Sequence, residues 1–251
     1  MTTLKYTPHQ IQEFVRCADP KYFISTYCKI NHPSRGLIPF ALYDHQRETL
    51  DAYVEYNYTV VDHSRQTGDS VVTAAYFLWY VMFNDNKSVM VLNSKDAIAV
   101  EFMQRIRTMY EHLPAWLKWT TAYNNKHDIQ FDNNSRIISR HASCCATRGM
   151  ALNLLVLHDC EWVRNDTMQE TLDAAYPCIA CDRSKVIVTG AHNPTATALT
   201  DFKSMLLSNP NSKHRIITWD MVPGRNQEFK DRMIAVIGEE AWKREYGHGK
   251  A

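Results

Sequence analysis

Five short runs of β-branched and aliphatic residues frame this chain: Tyr58–Val61, Ser88–Leu92, Leu154–Leu157, Lys185–Thr189 and His214–Thr218. Each is too short for a stable helix, and Leu154–Leu157 is apolar throughout, as a strand buried on both faces must be. Between them lie longer segments with helical spacing: Val71–Phe83, a stretch from Ser94 to about Tyr110, Met168–Tyr176 and Leu199–Leu207. In the second of these, Ala97, Phe102, Ile106 and Met109 fall near one face. Buried strands alternating with helices predict an α/β fold of three layers, a mainly parallel central sheet with helices on both faces. Asp128–His141 departs from that rhythm and reads as a hairpin, with Ile129 and Phe131 alternating before an Asp132–Ser135 turn and Ile137 and Ile138 returning. Upstream, Thr7-Pro8 marks a helix start followed by Ile11, Phe14 and Val15, Asn31–Gly36 reads as a loop, and Asp44 caps a helix carrying Leu50 and Val54.

Composition excludes several classes. The chain has 251 residues, 45% hydrophobic and 22% charged, enough for one large domain with a real core. The net charge of +1 provides no global field toward nucleic acid or membrane. Local basic pairs occur at Arg105/Arg107, Arg136/Arg140 and Lys213/Arg215, and read better as solvated surface than as phosphate contacts. The longest apolar run, Val71–Phe83, falls short of the ~20 residues of a membrane span and reads as a buried helix. Met1–Tyr6 has no secretory character, and seven cysteines, an odd number, fit reduced thiols in a cytoplasm. Cys178 and Cys181 form a CxxC pair, but no second pair follows at zinc-binding spacing.

Chemistry is expected just beyond the strand carboxyl ends, where ligands bind in such sheets. After the first strand stands Ser64-Arg65-Gln66-Thr67-Gly68-Asp69-Ser70, a tight turn opening a helix, whose backbone N–H groups suit an anion. An ordinary phosphate loop ends Gly-Lys-Ser/Thr; this one ends Gly-Asp-Ser. After Leu154–Leu157 come His158-Asp159-Cys160-Glu161, acids at the place where a nucleotide hydrolase holds magnesium and its attacking water, or else simply a strand ending in solvent. A His-Asp metal-hydrolase pair is the weaker reading. The run Lys185–Thr189 leads into Thr189-Gly190-Ala191-His192-Asn193-Pro194. Three polar turns on one edge argue for a ligand site more strongly than any one of them.

From about Phe40 to Trp219 these motifs resemble the motor half of the large terminase subunit of tailed bacteriophages. Tyr43-Asp44-His45-Gln46-Arg47 resembles the segment whose Gln touches adenine, and Ser64–Gly68 is nearly the family's Walker A lead-in. Asn93-Ser94-Lys95 follows the next strand as in the family, and Phe131-Asp132-Asn133-Asn134-Ser135 resembles its Asn-Gly-Ser hairpin. Arg148-Gly149 and Leu154–Val163, with Trp162, are similar to the Walker B region, and Thr189–Pro194 lies where the family has its coupling motif. The resemblance implies a P-loop NTPase fold, with ATP and Mg2+ as cofactors. It implies nucleotide contacts from Gln46, Ser64, Arg65, Gln66, Thr67, Gly68, Asp69 and Ser70, metal ligation by Ser70 and Asp159, and coupling through Thr189 and Asn193. Its implied partners are double-stranded DNA, a portal and a small terminase subunit, with a homo-oligomeric ring, no membrane, and the cytoplasm of an infected bacterial host.

The departures carry equal information. Asp69 stands where the family has its phosphate-binding Lys, His158 where it has the magnesium-binding Asp, and Asp159 where it has the catalytic Glu. Asp69 is expected to repel phosphate, and a neutral imidazole partners magnesium poorly. The expected function is therefore a packaging-motor domain with ATP binding and hydrolysis impaired. One alternative is an active ATPase in which Arg65 replaces the lysine and the acids shift register, Asp159 holding magnesium and Glu161 orienting water from the same side of an extended strand. Another is a non-enzymatic interaction protein on the same scaffold. The expected organisation is a helical attachment over 1–40, the ATPase domain over 41–225 and a helical tail or linker start over 226–251. The family's C-terminal nuclease domain is expected to be absent from a chain that stops soon after Glu245-Tyr246.

Overall fold

Thr7 starts the first helix as its sequence predicts. Its hydroxyl accepts the Gln10 N–H at 3.2 Å while the Gln10 side chain accepts the Thr7 N–H at 2.9 Å, and Pro8 follows where a missing N–H costs nothing. The computed structural model describes residues 6–179, 184–191 and 193–247. Along the chain run α1 (Pro8–Arg16), α2 (Pro20–Tyr27), β1 (Lys29–His32), β2 (Gly36–Pro39), α3 (Asp44–Glu55), β3 (Tyr58–His63), α4 (Asp69–Met82), β4 (Ser88–Asn93) and α5 (Asp96–Glu111). They continue with β5 (Thr121–Asn124), β6 (Asp128–Phe131), β7 (Arg136–His141), β8 (Leu154–His158), α6 (Asn165–Ala175), β9 (Lys185–Gly190), α7 (Thr197–Leu207), β10 (Ser212–Ile217), α8 (Gln227–Ile237) and α9 (Glu239–Tyr246). Asn31–Gly36 is not a plain loop: β1 and β2 pair antiparallel with Ile30 opposite Ile38. Four-residue strands leave too little alternation to read from sequence.

The main sheet has the order β10-β3-β9-β8-β4-β7-β6-β5. From β10 to β7 every neighbour is parallel, and β6 and β5 extend the sheet antiparallel. The carboxyl ends of β3, β9, β8, β4 and β7 therefore share one edge. The antiparallel pair β6/β7 is the hairpin read from Asp128–His141. Two cores flank the sheet, one built on α4 and α5 with the N-terminal helices, the other on α6 and α7.

α4 is apolar around its whole circumference, so it must be covered on every side. Every residue from Val72 to Met82 is buried, with the sheet on one side and α2, α3 and α5 around it. Val71, expected inside, is only half-buried because it lines a surface groove with Ile30, Asn31 and Arg105. Leu78 is wholly inaccessible. Leu78→Ala is expected to destabilise the fold by about 2–5 kcal/mol, read from urea unfolding; a loss near zero would show that α4 does not pack as described. Beyond β10, Trp219, Trp242 and Tyr246 pack with Phe229 into a small separate cluster holding α8 and α9 together.

Candidate functional site

The segment between β3 and α4 is a tight anion-type loop. Gln66 and Gly68 take left-handed backbone angles, φ 58° and 82°. A side chain at 68 would also meet the Gln46 amide, since a Cβ there lies 2.5 Å from Gln46 Nε2. Gln46 Nε2 donates to the Gly68 carbonyl at 3.3 Å, and His45 Nε2 lies 3.0 Å from the Thr67 carbonyl. The buried α3 start thus shapes the loop from below. The first N–H groups of α4 point out of the helix, without intrahelical acceptors.

The C-terminal elements hold the loop from the other side. Ser64 donates its hydroxyl to the Tyr246 carbonyl at 2.9 Å, and the Arg65 N–H donates to the Glu245 carbonyl at 3.0 Å. The Arg65 guanidinium pairs with the Glu245 carboxylate at 3.2 Å. Arg225 donates to the carbonyls of Arg65 at 3.1 Å and Gln66 at 2.8 Å. Arg65, the candidate substitute cation, is therefore already engaged, though its side chain stays largely exposed.

Asp69 does not face the loop's mouth. Its carboxylate is turned inward and fully buried, accepting hydrogen bonds from the hydroxyls of Thr189, at the tip of β9, and of Thr73, one turn along α4. His63, the last residue of β3, places Nε2 3.7 Å from Asp69 and 4.0 Å from Asp159, while its Nδ1 lies 3.1 Å from the Ser64 carbonyl. Burial alone would drive this imidazole neutral, but the Asp69 and Asp159 carboxylates outweigh it and hold its pKa above the ordinary value. Next to it His158 is buried against Phe102, with Nδ1 3.0 Å from Asn93 Oδ1 and Nε2 3.6 Å from Asp159. Burial depresses its pKa and keeps it neutral. One oxygen of Asp69 and Nε2 of each histidine have no hydrogen-bond partner.

These shifts have opposite signs in stability. A raised His63 contributes stability that is complete below its unfolded pKa of about 6.5 and lost as pH rises through its folded value. A depressed His158 penalises folding as pH falls below about 6.5. His63→Gln should therefore cost most stability at acid pH, with the difference from the unmodified chain fading as pH rises above about 6.5, in urea midpoints taken across that range. A difference that stays constant across it would remove the charge on His63 from the account.

Asp159 and Glu161 do not act from one side of an extended strand, as the shifted-register reading requires. Asp159 adopts a left-handed backbone, φ 51°, and the chain turns at once into a 3-10 helix over Cys160–Trp162. Asp159 stays near the loop, half-exposed, while Glu161 is carried to the α7 side of the sheet. There Lys203 donates to Glu161 at 3.0 Å and to Asp62 at 2.8 Å, and His214 lies 2.7 Å from Asp62. Burial pushes the Glu161 pKa up against the pull of Lys203. The Glu161 carboxylate lies directly over Gly190, where any side chain would collide with it. Asn193 shapes the adjoining turn, donating to the Glu161 carbonyl at 2.8 Å and accepting from Thr195.

The structure thus brings Ser64–Ser70, Thr189 and Asp159 to one place and sets Glu161 and Asn193 apart. Lys95 merely precedes α5 as its N-cap residue. Sequence reading missed His63, Thr73, Asp62 and Lys203. His63 was adjacent to the loop and Thr73 one helical turn beyond Asp69, so both were within reach; Lys203, more than forty residues from Glu161, left no local signal. Arg136 and Arg140 both bind the Asp128 carboxylate, Arg105 pairs with Glu101, and Arg215 pairs with Glu48, so these basic residues serve internal pairs. Cys178 is a buried thiol donating to the Thr147 carbonyl, and Cys181 and His192 lie outside the described residues.

A mainly parallel sheet, with a left-handed loop leading into a buried helix beside the carboxyl ends of its neighbours, defines a P-loop NTPase-type α/β domain. Residues 61–246 match the family described as terminase large subunit, T4likevirus-type, N-terminal, and the chain belongs to that family. The HK97 bacteriophage large terminase superposes with a TM-score of 0.71 at 14% identity, covering 92% of this chain and 54% of its own. The ATPase domain of the Thermus phage P74-26 large terminase gives 0.65 at 14% identity, covering 83% and 93%. A large terminase from a thermophilic bacteriophage, in complex with ADP, gives 0.60 at 12% identity, covering 82% and 52%. The chain spans about half the length of the HK97 and ADP-bound large terminases and nearly all of the P74-26 ATPase domain.

Proposed function

We propose that this chain is a DNA-packaging motor domain of the terminase type in which ATP binding and turnover are impaired. One observation carries the reading: where the family resemblance calls for a lysine facing phosphate and an acid facing magnesium, the carboxylate of Asp69 is turned inward toward His63 and Thr189 and the strand-end position holds the buried His158. Asp69 weakens nucleotide binding less by direct repulsion than by withdrawing a cation, because its carboxylate lies beneath the loop with His63 and Thr189. Magnesium does not fit the donor set. It takes oxygen ligands in octahedral geometry, whereas the strand-end position holds a buried neutral imidazole. Among the described residues no group of three or more His, Cys, Asp or Glu is placed to hold a metal ion.

The alternative of an active ATPase finds less support, since Arg65 is paired with Glu245 and Glu161 with Lys203. Asp159 remains near the loop, and a nucleotide that displaced Glu245 from Arg65 would favour that alternative. Double-stranded DNA, a portal and a small terminase subunit are the partners this reading assigns, with action as a ring in the cytoplasm of an infected bacterium. No helix among the described residues is long and apolar enough to cross a membrane. Isothermal calorimetry with ATP and with double-stranded DNA, followed by phosphate release with and without the DNA, tests the reading. DNA binding with little or no phosphate release supports the impaired motor, release stimulated by DNA supports the active one, and binding of neither ligand leaves the interaction-protein reading.

A further inference from the structure

Between β7 and β8 the chain passes through consecutive turns that carry Cys144 and Cys145. Their sulfurs lie 3.7 Å apart, with Cys145 exposed and Cys144 partly so. The other described cysteines, Cys17, Cys28, Cys160 and Cys178, are buried, so access singles out this pair. The backbone around the pair is held while the two thiols face outward: Arg148 donates to the Cys144 carbonyl at 2.8 Å, and the Thr147 carbonyl accepts from the Cys178 thiol at 3.1 Å. We propose that Cys144 and Cys145 form a reversible vicinal dithiol–disulfide couple at the ligand-bearing edge of the sheet, closed by small-molecule disulfides and reopened by thiols.

The chemistry balances without help from the protein. The thiolate of Cys145, the more exposed sulfur, attacks one sulfur of a small disulfide such as oxidised glutathione and expels one glutathione thiolate. Cys144, deprotonated to solvent, then attacks Cys145 Sγ and expels the second. The two cysteines lose two electrons and two protons, and the small disulfide becomes two thiols. The hydrogen bond to Cys145 pushes the Cys144 thiol up, which lowers its thiolate fraction and leaves the first attack to Cys145. Adjacent Cα atoms sit about 3.8 Å apart across a trans peptide, closer than the roughly 4.4–6.8 Å of ordinary disulfides, so the closed bond is strained and easily reduced. Labile disulfides of this kind are the ones that respond to redox conditions rather than hold a fold together. Closure also redirects the Cys144 carbonyl that Arg148 holds.

The test is mass spectrometry of the folded, unmodified chain after oxidised glutathione, alkylation and trypsin, which releases residues 141–148 as one fragment. In the wild type that fragment should lose the mass of two hydrogens, take no alkyl group, keep no glutathione and revert with dithiothreitol. Cys144→Ser should instead retain glutathione on Cys145, because the resolving thiol is gone. Retention of glutathione on either cysteine of the wild type, or a fragment that remains fully alkylated, would overturn the proposal.

Discussion

The chain carrying Asp69→Lys, His158→Asp and Asp159→Glu together is expected to bind ATP on the order of 100-fold more tightly than the unmodified chain, and to release phosphate where the unmodified chain does not. A unit charge at ~4 Å is worth about 4 kcal/mol at an effective dielectric near 20, and about 1.4 kcal/mol is tenfold in affinity. Even half of the first figure accounts for most of the gain. The three changes belong together because the residues form one cluster. Lys at 69 alone would enter a fully buried position beside His63 and lose the carboxylate that Thr189 and Thr73 now serve. Asp at 158 alone would bury a second acid against Asp159. Groups that act as a unit do not add. Calorimetry and phosphate release on the triple variant and on Asp69→Lys decide the matter. If the triple variant folds and still binds no nucleotide, the loop itself has lost the geometry and the interaction-protein reading gains.

Lys203→Met is expected to destabilise the fold by about 3–5 kcal/mol, because it strands Glu161 as a buried carboxylate and removes a partner of Asp62. The pair is well inside, with the Glu161 side chain 2% and the Lys203 side chain 12% exposed. Adding Glu161→Gln in the Lys203→Met background should recover much of the loss, since the orphaned charge goes with it. Urea unfolding of the two single variants and the double measures this directly. A loss under about 1 kcal/mol for Lys203→Met would mean that the network is screened like a surface pair, and Glu161 would again be free to serve the loop.

The architecture was legible in the sequence wherever burial dictated pattern. Leu154–Leu157 and Val89–Leu92 are continuous apolar runs because their strands lie inside a parallel sheet, and α4 is apolar all round because it is enclosed. The Asp128–His141 hairpin was visible in its alternation and its turn. The β1/β2 hairpin was not, because its strands are four residues each and mostly exposed. At the site, spacing located the loop, the strand-end acids and Thr189 on one edge. It could not tell which way a side chain turns. Asp69 read as a charge facing phosphate, yet its carboxylate points inward to Thr189 and His63. Asp159 and Glu161 read as neighbours on one face, yet a left-handed residue between strand and 3-10 helix sends them apart. Such orientation depends on partners distant in sequence, Lys203 for Glu161 and Glu245 for Arg65, that no local pattern announces.

Titration of ATP with magnesium into the unmodified chain, followed by phosphate release in the presence of double-stranded DNA, tests the impaired-motor reading most directly. No saturable ATP binding is expected up to about 1 mM, the upper end of ordinary Michaelis constants, and no release above the protein-free rate with or without DNA. Saturable binding in the micromolar range, with DNA-stimulated release that Arg65→Ala abolishes, would contradict it and make Arg65 the working cation of an active motor.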